Sequence, residues 1–211
     1  MADRLPPAPV PTQVAPRSAL DGVASSGRHG DASGPAGVHV QLRAPLSLAL
    51  LLPAPGQASA CLQRLEQAFG TPVATLGPRR AAMGPDLELL WSGPDRYLAG
   101  VAEDTDLEAR LQAACGPTAA VIDQSDGRFA LRLSGPAVRR TLAKGLTLDL
   151  HPRAFAVGET ALTMLAHLNV QLTRVGTDST FDLIASRASA GNVWHWLEAS
   201  AGEFGLQADL G

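Results

Sequence analysis

Ala119-Ala120-Val121-Ile122-Asp123-Gln124-Ser125-Asp126-Gly127-Arg128-Phe129-Ala130-Leu131-Arg132-Leu133-Ser134-Gly135-Pro136 is the stretch that decides the fold. In its second limb, Arg128 to Ser134, Phe129, Leu131 and Leu133 stand at alternate positions, the period of a strand with one buried face. The first limb, Ala119 to Gln124, reads as a second strand. Between them Ser125-Asp126-Gly127 is a turn that predicts positive φ at the glycine. Strands joined this closely pair antiparallel. Ser134-Gly135-Pro136 then opens a helix, with proline near the first helical position, where its missing N–H costs nothing. Paired strands fed into helices, without strand–helix–strand crossovers, make the chain α+β.

Upstream the same order recurs. Strands are predicted at Val38 to Ala44 and Leu46 to Leu52, then a helix from Gln57 to Phe69 with Cys61, Leu62, Leu65 and Phe69 as its apolar stripe. Gly70 stops it. Strands at Leu87 to Trp91 and Tyr97 to Ala102 flank the turn Gly93-Pro94-Asp95. A helix from Thr105 to Cys115 follows, with Asp104 as N-cap and Gly116 as stop. Downstream, strands at Ala161 to Leu168, Val170 to Val175 and Phe181 to Ala185 precede a last helix from about Ala188 to Glu203. Its stripe is Val193, Trp194, Leu197, Ala201 and Phe204. Residues 38–211 therefore read as a single domain with pseudo-halves of about 38–117 and 118–211. Residues 1–37 hold many prolines and glycines and no aromatic residue, and read as a flexible tail that can order against a partner. Leu46 to Leu52, between Arg43 and Ala58-Ser59-Ala60-Cys61, imitates a secretory signal, but it lies more than forty residues from Met1 and reads as a buried strand.

The 211 residues are 45% apolar and 18% charged, with 17 basic against 20 acidic side chains. That balance argues against a general nucleic-acid binder, which needs a clustered positive face. No apolar run reaches the length that spans a bilayer. Cys61 and Cys115 are too few for a disulfide framework or a four-thiolate site, and free thiols in a cytoplasmic protein are expected. A catalytic constellation is missing: there is no phosphate-binding lysine loop, no dinucleotide glycine motif, no nucleophile elbow and no zinc helix motif. His29, His39, His151, His167 and His195 form no close ligand pair. Asp123, Asp126, Asp149 and Asp182 have turn and cap duties as their plainer reading. Cys115 has no evident activating neighbour.

The tryptophans say more. Trp194 and Trp196 lie two apart on one helix and so point about 200° away from each other. If Trp194 is in the core, Trp196 looks outward, over another subunit or a loop. With its neighbour His195 it is a candidate for an interface.

Several blocks then assemble into a resemblance. They are Arg17-Ser18-Ala19-Leu20-Asp21-Gly22, Leu90-Trp91-Ser92-Gly93-Pro94-Asp95-Arg96-Tyr97-Leu98, Asp123 to Arg128 and Leu131 to Pro136. The most specific is Leu142-Ala143-Lys144-Gly145-Leu146-Thr147-Leu148-Asp149-Leu150-His151-Pro152-Arg153-Ala154-Phe155, and Trp194-His195-Trp196-Leu197-Glu198 and Glu203-Phe204-Gly205 close the series. In order and spacing the chain resembles the gamma subunit of heterotetrameric sarcosine oxidase from about Arg17 to Gly205. It departs at Tyr97, where members often carry tryptophan, and at Leu146, where many carry cysteine. The resemblance implies a fold like the folate-binding domain of the glycine-cleavage aminomethyltransferases, two swapped β–α–β–α subdomains with antiparallel sheets. It implies a non-catalytic place beside alpha, beta and delta subunits in a complex that oxidises sarcosine to glycine. FAD, FMN and NAD would lie with alpha and beta, zinc with delta, and tetrahydrofolate on alpha, with no cofactor on this chain. Arg17, which opens the first block, joins Trp196 and His195 as an interface candidate. The alternatives are the equivalent subunit of a complex acting on another N-methyl or secondary amine, or a free-standing folate-dependent protein. Against the latter, Lys144-Gly145 is followed by Leu146-Thr147-Leu148-Asp149, without the cysteine and acidic tail of the folate-fold repair signature.

Overall fold

The computed structural model describes residues 17–43, 46–74, 76–102 and 106–211. In chain order the strands and α-helices are β1 (Gly27–His29), β2 (Val38–Leu42), β3 (Leu46–Pro53), α1 (Ala58–Phe69), β4 (Ala81–Met83), β5 (Glu88–Trp91), β6 (Tyr97–Ala102) and α2 (Leu107–Cys115). Then come β7 (Ala119–Asp123), β8 (Arg128–Ser134), α3 (Val138–Leu142), β9 (Thr160–Leu165), β10 (Leu168–Arg174), β11 (Phe181–Ser186), α4 (Ala190–Ala201) and β12 (Leu206–Asp209). One sheet has the order β1-β12-β2-β8-β11-β10-β9, the other β4-β5-β6-β3-β7. All pairings are antiparallel except β12 with β2.

Alternation decides which layer each face meets. On β8, Phe129, Leu131 and Leu133 enter a core shared with Val138 and Leu142 of α3 and Val193, Trp194 and Leu197 of α4. The opposite face of the same strand sends Ala130 into a small apolar contact with Leu48, Leu90 and Leu98 of the second sheet and Ile184 of β11. That second sheet buries its far face under α1 and α2, through Leu51, Leu89 and Ala99 against Leu65, Phe69 and Leu111. The layers run helix, sheet, sheet, helix. Among the described residues no helix is long and apolar enough to cross a membrane.

The two pseudo-halves exchange strands. β2 precedes β3 in the chain yet joins the seven-stranded sheet, and β7, beyond the expected division at 117, becomes an edge of the five-stranded one. The β7–β8 turn that was expected to hold its strands in one sheet instead passes the chain between the two. Gly127 keeps a negative φ there, while its N–H closes on the Gln124 carbonyl at 3.1 Å. The β9–β10 turn also differs from expectation. It sits at Ala166-His167, both with positive φ, and not near Asn169. The Ala166 N–H donates to the Gly145 carbonyl at 3.0 Å, which helps hold a left-handed pair without glycine. The signal-like run is β3, paired on both sides. The proposed N-cap Asp104 lies outside the described residues, as do residues 1–16.

The described part of the expected tail is structured. Leu20 is 2% exposed in the larger core, and β1 pairs with β12, register Gly27 with Ala208. A proline- and glycine-rich composition hid a short edge strand whose partner lies at the other end of the chain. Gly205, at φ 67°, makes the crossing possible: a Cβ there would stand 2.3 Å from the Asp31 carbonyl oxygen.

Candidate functional site

α4 carries two of the three interface candidates. Trp194 is 2% exposed, with the His29 imidazole edge-on at 5.2 Å. Its neighbour His195 is exposed to solvent. Trp196 is half-buried and lies on the loop after α3, so close that a Cβ on Gly145 would fall 2.4 Å from its Cζ2. A loop covering, one of the two expected for Trp196, is thus present. That loop carries Leu146, which bridges Leu165 at the end of β9, so Trp196 helps close the edge of the large sheet. Arg17 is elsewhere: its carbonyl accepts a hydrogen bond from Arg187 in the turn before α4. The three candidates do not form one site.

A second feature lies between the sheets. Arg43, just past β2, donates from Nη2 to Glu88 Oε1 of β5 at 2.7 Å and from Nη1 to Asp182 Oδ2 of β11 at 2.9 Å. Asp182, 2% exposed, also accepts from Arg132 Nε and Nη2 at 2.8 and 2.9 Å. The Asp182 carboxylate raises the Arg132 pKa, since the bond exists only while the guanidinium is charged. Two arginines and two carboxylates thus cross-link the sheets with their charges balanced. Farther along, Gln171 accepts from Ser92 Oγ at 2.8 Å and donates to the Trp91 carbonyl at 3.2 Å and to Thr160 Oγ1 at 3.1 Å. Asp182 was expected to serve a turn or a cap; it lies instead within β11 and anchors this network. Sequence reading missed its partners, because Arg43, Arg132 and Glu88 come from three separate strands or strand ends.

Beside this lattice a cleft of about 620 Å³ opens between the sheets, with Arg17, Arg43, Arg128 and Arg187 and one acidic residue, Asp126, among its walls. A second depression of about 590 Å³, also bordered by Arg128, runs along β9 and β10. Leu162 and Met164 of β9 border it and are 53% and 50% exposed. They face away from the core that takes Ala161 and Leu165 on the same strand.

Several of the other candidates for chemistry have structural partners. Asp123 accepts from the Ser125 hydroxyl and backbone N–H at 2.6 and 3.0 Å, and these bonds hold its carboxyl below the usual range. Asp149 accepts from the His151 N–H at 2.8 Å. Cys61 and Cys115 are fully buried with their sulfurs 3.5 Å apart, and the contact together with burial pushes the Cys115 thiol up. Among the described residues no three His, Cys, Asp or Glu side chains gather as metal ligands.

Comparison with known proteins gives the chain its relatives. Residues 80–203 match the model of the sarcosine oxidase gamma-subunit family. Sarcosine oxidase subunit gamma of an Arthrobacter species is 38% identical over 141 residues, covering 66% of this chain and 69% of that one. The subunit gamma of Corynebacterium strain P-1 is 43% identical over 118 residues, 55% of this chain, and the match spans 57% of that relative's length. Among solved structures, a chain of the heterotetrameric sarcosine oxidase of Corynebacterium sp. U-96 superposes with a TM-score of 0.72 at 30% identity, over 82% of this chain and 87% of that one. The glycine cleavage system aminomethyltransferase T of Bartonella henselae shares the fold at 16% identity, with a TM-score of 0.61 over 83% of this chain and 48% of that one.

Proposed function

The chain belongs to the sarcosine oxidase gamma-subunit family, and from that membership we propose that it is the gamma subunit of a heterotetrameric complex and works by docking, without catalytic residues of its own. The observation that carries this reading is the match to one chain of a heterotetrameric sarcosine oxidase over most of both lengths. The partners are alpha, beta and delta subunits in the cytoplasm. The complex oxidises sarcosine to glycine and passes the one-carbon unit to tetrahydrofolate, with FAD, FMN, NAD and zinc held by the other subunits. Asp123, Asp182 and Trp196 each have structural partners within the chain, which suits a part whose task is to present a rigid surface.

Docking needs apolar area that is free in the isolated chain. Leu162 and Met164 supply it on one sheet face, each about half exposed, and the occupant of that face is another subunit of the complex. Co-expression of the tagged chain with alpha, beta and delta subunits tests the reading. The chain should elute with all three in equal amounts, and the assembly should oxidise sarcosine. Elution of the chain alone, while the other three assemble into an active enzyme without it, would overturn it.

A further inference from the structure

The cleft between the sheets holds more positive charge than its neighbours neutralise. Arg43 is committed to Glu88 and Asp182, so its charge is spent. Among the described residues, the Arg187 guanidinium bonds only the neutral carbonyl of Arg17. Arg128 has a single long bond, Nε to Gln124 Oε1 at 3.3 Å, and it lies on the walls of both the cleft and the adjoining depression. Burial without a carboxylate partner pushes the Arg128 pKa down. Arg17, Arg128 and Arg187 therefore stand against one wall carboxylate, Asp126, leaving an excess of two positive charges.

A desolvated guanidinium is costly unless paired, because its five N–H donors lose water and gain nothing in return. The cleft supplies what would repay that cost. At about 620 Å³ it has the size of a small-molecule site, far larger than one inorganic anion, and the half-buried Leu42 and Leu46 give it an apolar side. We propose that this cleft binds a small organic dicarboxylate, whose two carboxylates pair with Arg128 and with the Arg17–Arg187 corner while its carbon chain lies on Leu42 and Leu46. A ligand with a carboxylate at each end can take a fork from each of two arginine positions, whereas a single-charged ligand can take only one. This assignment is independent of the subunit reading above, since it concerns a cavity within the chain itself.

Titration of the full-length chain with succinate in a calorimeter, at ionic strength held constant with chloride, tests it. Saturable binding is expected, with acetate and inorganic phosphate at least tenfold weaker. Arg128→Gln and Arg187→Gln should each weaken succinate at least tenfold, and Arg64→Gln on the outer surface of α1 should leave it unchanged. Should Arg128→Gln fail to fold, Arg128→Lys, which keeps the charge and loses the fork, should still weaken succinate severalfold. Absence of saturable binding, equal affinity for phosphate, or affinity unmoved in both glutamine variants would each overturn the proposal.

Discussion

Asp182 shows how much one carboxylate can hold. It is 2% exposed and joins Arg43, at the start of the crossing between the sheets, to Arg132 on β8. Asp182→Asn would leave two guanidinium groups with half their acceptor charge removed. A stability loss of about 3–5 kcal/mol is expected, the usual cost of breaking a buried pair from one side. Urea unfolding of the variant reads it, and a loss under about 1 kcal/mol would mean water already serves those arginines. Trp194 and Trp196 divide in the same physical terms. The inward direction of Trp194 was legible, because its spacing from Val193, Leu197 and Ala201 follows the helical period, and Trp194→Ala should cost about 3–5 kcal/mol. What Trp196 covers was not legible, since nothing local links position 196 to Gly145. The two now form a testable pair. Gly145→Ala forces a methyl into the ring at 2.4 Å, and Trp196→Ala should cost about 2 kcal/mol for a half-buried indole. If the ring is what makes Gly145 necessary, the double variant will be more stable than the sum of the two losses allows, by roughly 1 kcal/mol or more. Strict additivity would show that Gly145 is constrained by something else.

At the scale of elements, legibility followed length. The long amphipathic helices and the alternating strands were predicted within a few residues, because each carries its own periodicity. β1 with three residues, β4 with three and β12 with four were missed. Such short strands exist only through a partner: β12 sits between β1 and β2, at opposite ends of the sequence from both. The exchange of β2 and β7 between the sheets was likewise implied only by resemblance, since hydrophobic period fixes a face and says nothing of which sheet receives it. The segment before Val38 gives the sharpest test. A chain beginning at Val38 loses β1, the Leu20 side chain in the core, and His29, whose ring packs on Trp194 and bonds Glu198 at 2.9 Å. Relative to a chain beginning at Arg17, its melting temperature should fall by roughly 6–12 °C, the effect of about 3 kcal/mol in a domain of this size. Equal melting temperatures would return those residues to the status of a tail.

For the whole molecule, the question is which face meets a partner, and the layers restrict the answer. Both helical layers cover cores with their inner faces, and the sheets cover each other through Leu48, Leu90, Leu98, Ala130 and Ile184. The apolar contact between the sheets does not reach Leu162 and Met164 of β9, which remain about half exposed beside a depression. The rival face is the outer side of α4, with His195 exposed and Trp196 already occupied by Gly145. Tryptophan there can add little binding energy unless it leaves its loop, whereas Leu162 and Met164 would bury new apolar area without rearrangement. Leu162→Asp and Met164→Asp should therefore leave the melting temperature of the isolated chain nearly unchanged, since exposed positions tolerate substitution within about 0.5 kcal/mol. Each should weaken assembly with the other subunits by roughly 2 kcal/mol or more, seen as loss from the co-purified complex. His195→Asp should do neither. The opposite pattern, with His195→Asp displacing the chain and Leu162→Asp retaining it, would move the contact to α4 and require Trp196 to be released from Gly145 on binding. In that case Trp196 fluorescence would shift upon assembly, and with the β9 face as the contact it would not.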